Sequence, residues 1–491
     1  MLDGAFAVFV ASIIIVGLRH EAWFDEGQAW LLARDNSLFG LLVHALHYEG
    51  TPGLWHMVLW VAIRCGLPYS GLHLISSALA CGGAWLVMYR SPFPVSMRAG
   101  LIFSYFFGYQ YSVVARSYCL DLLLLPLAAC LYGRKLERPL LYCFVLGLCV
   151  NCNAQSFLIG AVLFLDFLWA ARRESRWRET GAVQGMLAFL ALACAAALQA
   201  LPAPDTVTLS TQHSIFVPLR QLLEGLIDRR FFFRAEGLEA ADMLVGFGLT
   251  LLALAPMVIL IRRAGKGLLF AGMIGILMLF AWVEYASPWH AGIIFLVWVF
   301  CLWLSWEAKD RLLPGMRKWL TVALAGVLFV HVFYTLASWR RDMTELYSSG
   351  MRAAEVLKGY MNEGRSPTVA GMGFKAFSVQ PWFGRNIFAN YYEGAAVPSY
   401  YIWKKDQSLA RLAKRDLWQE MVRSRRYDIL LLSTYNLKSA GDLTGEIDVP
   451  GFVADAREAG YCVVSRIPAG MIWKGYTYES DNLVIFNRCA G

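Results

Sequence analysis

Asp25 and Glu26 stand side by side in RHEAWFDEGQAW (Arg19–Trp30), a few residues beyond the first apolar run of the chain. Adjacent carboxylates at the mouth of an apolar segment have a chemical use: one takes a proton from an attacking hydroxyl while its neighbour orients it. They also have structural uses, as solvated loop charges or as caps at the start of the next helix, where acids are favoured. A third carboxylate, Glu49, follows in HYEGTPGLWH, either contacting a ligand or tying down its loop. Cations appear as Arg116 in YSVVARSY and as Arg220, Arg229 and Arg230 in LRQLLEGLIDRRFFF, and His290 ends EYASPWH. Guanidinium groups are suited to phosphate, and three Phe after Arg229 and Arg230 suit a lipid headgroup with its chains, or equally an interfacial helix. Arg116 has the alternative of a structural ion pair, and His290 that of a helix cap.

These groups must be positioned by a mostly apolar chain. Of 491 residues 58% are hydrophobic and 16% charged, with mean hydropathy +0.48. Water-soluble domains carry about 25% charged residues, so the composition is that of a multi-pass membrane protein. The 18 Trp fit many membrane–water interfaces. A formal charge of +8 does not point to nucleic acid, because the basic residues lie in short connections between apolar runs, where they meet anionic lipid. Most of the 11 Cys fall inside apolar runs; only Cys462 and Cys489 lie in a clearly soluble region and are candidates to pair. The first run lacks a basic start and a small-residue cleavage site, which predicts a retained helix.

Eleven apolar runs recur, at about 4–18, 71–89, 99–115, 118–133, 139–152, 156–171, 181–200, 241–261, 267–286, 291–306 and 318–338. The shorter run 53–66 contains His56 and Arg64 and reads as a juxtamembrane helix. Lys and Arg concentrate in alternate connections, which predicts eleven crossings with the N-terminus inside and the C-terminus outside. That topology puts 20–70, YSVVARSY, NCNAQ, the loop 201–240 and EYASPWH on one extracytoplasmic side, able to converge on a single site. The stretch GQAWLLARDNSLFGLLVHAL reads as an amphipathic helix lying in the interface.

Residues 1–339 are thus predicted to form the membrane domain and 340–491 a small extracytoplasmic α/β domain. In the latter, MRAAEVLKGYM has helical periodicity, TVAGMG, YDILLLS, YCVVSRI and NLVIFNR read as strands, and FVADAREAG is a short helix closing on Gly460.

DEGQAWLLARD, YEGTPGLWH and YSVVARSYCLDLLLL, in that order and on that side, resemble the GT-C superfamily of integral-membrane glycosyltransferases. Among its members the chain is most similar to bacterial polyprenyl-phosphate-sugar-dependent enzymes, related to aminoarabinose transferases and protein O-mannosyltransferases. The resemblance covers residues 1–340. It implies a helical GT-C-like fold in the bacterial cytoplasmic membrane, and transfer of a sugar from a polyprenyl-phosphate donor to a lipid, polysaccharide or protein hydroxyl outside. It makes Asp25 the expected base with Glu26 beside it, and Glu49, Arg116, Tyr118 and His290 expected substrate contacts, to which the residues themselves add Arg229 and Arg230.

One position departs from the family pattern: Val114 stands where YSxEARxY has an acid. A metal-assisted reaction uses such a second acid, so no cofactor is firmly implied. A divalent metal would need other ligands, such as His20 and Glu21. Asp121, inside an apolar run, is costly unless partnered, and Arg116 is one turn away. Two other classes compete: a lipid-linked-sugar transporter, which would show polar residues through the bilayer midplane, and a non-catalytic envelope-assembly scaffold, which Val114 keeps open.

Overall fold

The computed structural model describes residues 2–207, 216–227, 239–284, 286–362, 366–405, 414–437 and 444–489. The described residues up to Thr344 are mainly helical: α1 (Leu2–Gly17), α2 (Phe24–Asp35), α3 (Leu38–Val43), α4 (Leu54–Arg64), α5 (Leu72–Arg90), α6 (Val95–Ile102), α7 (Tyr118–Tyr132), α8 (Pro139–Cys149), α9 (Ala154–Arg173), α10 (Thr180–Ala200), α11 (Phe216–Leu226), α12 (Glu239–Arg263), α13 (Gly267–Val283), α14 (Ala291–Ser305) and α15 (Pro314–Thr344). Among the described residues six segments are long and apolar enough to cross a membrane: Tyr69–Arg90, Ala154–Arg173, Thr180–Ala200, Leu244–Arg263, Pro288–Arg311 and Pro314–Thr344. That is a multi-span architecture, with fewer full-length spans than the eleven apolar runs suggested.

The shortfall has local causes. The run 99–115 is not one helix: α6 stops at Ile102, a π turn covers Phe106–Gln110, and turns follow before α7. α8 is only 11 residues long. The expected interfacial helix is also broken. α2 ends at Asp35, and Ser37 caps α3, its hydroxyl accepting the Gly40 N–H at 3.0 Å. α2 is buried nearly all round, from Glu26 to Ala33, so it is an internal element instead of a surface one.

The strands and helices expected in the C-terminal part are present, with two hairpins and a helix at Arg415–Arg423 besides. α16 (Gly350–Asn362) leads to a sheet of β1 (Val369–Met372), β2 (Ile429–Ser433), β5 (Tyr461–Ile467) and β8 (Leu483–Arg488) in the order β1-β2-β8-β5, with β1 and β2 parallel and the other pairs antiparallel. Alternation along β2 sorts its side chains. Leu430 and Leu432 pack with Trp418 of α17 (Arg415–Arg423) and Phe452 of α18 (Val449–Glu458), whereas Ile429 and Leu431 join the core shared with the helical bundle. Cys462 and Cys489 form a disulfide.

β3 (Tyr435–Leu437) and β4 (Thr444–Glu446) pair with each other, and β6 (Gly470–Trp473) and β7 (Tyr476–Ser480) make a second hairpin. Its two-residue turn, Lys474 (φ 47°) and Gly475 (φ 82°), has positive φ at both positions, as a hairpin with the right-handed strand twist needs. The tip enters the bundle. A Cβ on Gly475 would lie 2.5 Å from Ala337 Cβ, and the Lys474 backbone N–H donates to Tyr105 Oη at 3.0 Å.

Candidate active site

A cavity of about 500 Å³ opens where the ends of α2, α4, α7, α9, α13 and α14 meet. This volume is in the range of small-molecule sites, about 300–1,000 Å³. Asp25, Glu49, Arg116, Tyr118 and His290 all line it, although 265 residues separate the first from the last. Asn153 and Gln155 of NCNAQ line it too. Arg229 and Arg230 lie outside the described residues, and among those described the segment 201–240 contributes nothing to the wall.

Asp25 sits in the first turn of α2. Its Oδ2 is 2.9 Å from Arg116 Nη2, with the two side chains 31% and 20% exposed. Burial raises the Asp25 pKa, against the opposing pull of Arg116 and then Lys375. The Arg116 guanidinium lies 5.0 Å from the Trp289 ring centre, 5.4 Å from Tyr118 and 5.5 Å from Trp23, an aromatic enclosure that favours a planar cation. Tyr118 stacks on Tyr111 with centroids 5.0 Å apart. His290 has both of its expected roles available. Its Nδ1 accepts the Ser287 N–H at 3.1 Å, as a cap does, and this places the proton of the neutral ring on Nε2.

Glu26 takes the capping place that was one of its two expected roles. It is fully buried and does not reach the cavity. Its Oε1 accepts the Ala115 N–H at 2.6 Å and its Oε2 the Trp23 N–H at 3.1 Å. One carboxylate therefore braces the strand entering α2 against the residue preceding Arg116, fixing Asp25 and Arg116 relative to each other. Burial opposes its ionisation, but His20 outweighs this and holds the Glu26 pKa low. Val114, at the departing motif position, is 1% exposed and part of the apolar core.

Behind this brace His20 lies between two acids, with Nε2 3.2 Å from Glu26 Oε2 and Nδ1 2.7 Å from Asp342 Oδ2. Burial alone would lower its pKa, but Asp342 and then Glu26 carry it up to about 10. A ligand atom from each of His20, Glu26 and His73 lies within 4.8 Å of the others, a grouping that can hold a metal ion. Glu21, suggested as a partner of His20 in such a site, faces Arg352 at 3.9 Å and is not in the group. Asp121 does not pair with Arg116; it accepts from Asn153 Nδ2 and Ser156 Oγ, each at 2.7 Å, at the start of α9.

Glu49 and the last wall of the cavity depend on the C-terminal part, which local sequence signals did not reveal. Gln28 Nε2 donates to Glu49 Oε1 at 2.7 Å and to the Tyr401 carbonyl at 2.6 Å, and Gln28 Oε1 accepts the Tyr401 N–H at 2.8 Å. Burial lifts the Glu49 pKa to about 7, with the Gln28 bond opposing. Phe374, Trp403 and Glu479 complete the lining, and Glu479 is held by buried Lys375. The cavity therefore combines a carboxylate paired to an enclosed guanidinium, the imidazoles of His56 and His290, and three further acids, Glu49, Glu284 and Glu479, against aromatic walls. Compared with known proteins, the sequence matches no family model and no curated protein, so the geometry of the site carries the functional argument by itself.

Proposed function

We propose that the protein is an inverting membrane glycosyltransferase of the GT-C type, moving a sugar from a polyprenyl-phosphate donor to a cell-envelope hydroxyl. In this reading the helical part crosses the bacterial cytoplasmic membrane eleven times, shorter helices included. The cavity and the domain 340–491 then lie outside. Asp25 takes the proton of the acceptor hydroxyl as its oxygen bonds to the anomeric carbon. The bond from that carbon to the phosphate oxygen breaks, and the polyprenyl phosphate departs with the electron pair. Arg116 and the Nε2–H of His290 stabilise the departing phosphate. Tyr118 and the Trp rings form the wall against the sugar, and Glu49 holds the acceptor. Glu26 acts through the other two as a positioning residue.

The observation that carries this reading is the Asp25–Arg116 contact of 2.9 Å inside a shared cavity, a base and an anion site brought together from distant segments. Purified wild type and Asp25→Asn, each given a polyprenyl-phosphate sugar and a cell-envelope extract, test it by release of polyprenyl phosphate. Wild-type turnover with loss in the variant supports the reading; equal turnover removes Asp25 as base. A transporter would instead move the lipid-linked sugar across a vesicle membrane without cleaving it.

A further inference from the structure

The buried cluster behind the brace has more negative charge than its neighbours balance. The side chains of Glu26 and Asp342 are 0% and 1% exposed, and both contact His20. Among the described residues His20 is the one cation-forming group bonded to both. An imidazolium supplies one positive charge against two buried carboxylates, and uncompensated buried charge is costly. Asp342 Oδ1 and Glu21 Oε2, also buried here, have no hydrogen-bond partner among the described residues.

We infer that His20, Glu26 and His73 bind one zinc ion that ties α2 to α5 and fixes the Asp25–Arg116 brace. Two imidazoles and a carboxylate are a common zinc donor set. The separation of 3.2 Å between His20 Nε2 and Glu26 Oε2 suits neighbouring ligands, since ligands about 2.0–2.1 Å from a tetrahedral ion stand about 3.3 Å apart. Second contacts are in place as well. Asp342 accepts from His20 Nδ1, the carboxylate–histidine arrangement that orients a metal-bound imidazole, and His73 Nδ1, 3.8 Å from Glu26 Oε1, exchanges its 3.1 Å contact with the Val113 carbonyl for the metal. Each Glu26 oxygen has lone pairs beyond those accepting backbone N–H groups. The site is separate from the cavity, and its role is structural whether or not the transfer reaction is the right one.

Elemental analysis of the full chain, purified in detergent through a tag without histidines, is the test. About one zinc per chain is expected, falling below about one-tenth in His73→Asn, and wild type stripped with a strong chelator should regain its higher Tm when zinc alone is added. Should His73→Asn fail to fold, the wild-type stoichiometry and the zinc-dependent Tm decide. Metal-free wild type whose Tm ignores added zinc would overturn the site, as would a folded His73→Asn that keeps its zinc. Neither readout uses turnover, so failure here leaves the glycosyltransferase reading standing, and the reverse.

Discussion

Arg116 Nη2 lies 2.9 Å from Asp25 Oδ2, and the two residues are held in register by Glu26, which bonds the backbone beside each of them. A guanidinium that neutralises a base must leave it, at least in part, when a phosphate arrives. On the proposed function the pair is a resting arrangement: donor binding would draw Arg116 toward phosphate and strengthen Asp25 as a proton acceptor. Asp25→Asn is expected to lower kcat by about 10²–10⁴-fold with little change in Tm, measured by single-turnover release of polyprenyl phosphate.

The pH profile should carry the same signature. Burial raises the Asp25 pKa and Arg116 opposes the rise. A base works deprotonated, so activity falls as pH drops through that pKa, above the ordinary Asp value of about 3.9. Arg116→Gln removes the opposing cation and should move this acid limb to higher pH, as well as weakening donor binding. A limb that stays in place in Arg116→Gln would separate Asp25 from the titration.

Glu49 has a consequence for stability. With its folded pKa lifted to about 7 from an unfolded value near 4.3, its contribution is present at low pH and lost as pH rises through 7. Glu49→Gln should accordingly raise Tm at pH 8 relative to wild type, with the gain shrinking toward pH 5, as followed by thermal unfolding in detergent.

Gln28 is where the two halves of the molecule meet at the site. Gln28→Ala would leave the Tyr401 backbone groups and Glu49 without their partner, at a cost of about 1–3 kcal/mol. Chemical unfolding should register that loss. Gln28→Glu should be worse, because it adds a second acid against Glu49.

The Cys462–Cys489 bridge closes β5 onto the end of β8 across 27 residues, and losing it in Cys489→Ser should cost the C-terminal part about 3–4 kcal/mol. Limited proteolysis of the reduced protein would show cutting in 414–489 first. An alkaline phosphatase fusion at the C-terminus should be active, as an outside location demands.

Much of this could be read from the sequence because it is periodic. Short apolar, β-branched-rich runs marked β1, β2, β5 and β8, and longer apolar runs located the long helices. The run 99–115 misled because composition alone does not show where a helix breaks; Gly108 and the Ser and Tyr residues around it allow the π turn and the turns before Arg116. The site was half legible. Asp25, Glu49, Arg116, Tyr118 and His290 stood in polar islands, and the structure brings them to one cavity. Gln28, Glu479 and the His20–Asp342 contact were not legible, since pairings across more than 300 residues leave no local pattern, and Asp342 sits at the end of a long helix like any solvated acid.

Glu479 comes from a hairpin near the end of the chain, seated by Gly475 against Ala337. During synthesis the helices emerge before the hairpin. Until that hairpin docks, the cavity lacks the Glu479 part of its wall. If the proposed reaction is right, a chain stopped before the hairpin would be left without a complete wall around the sugar and should waste little donor on water.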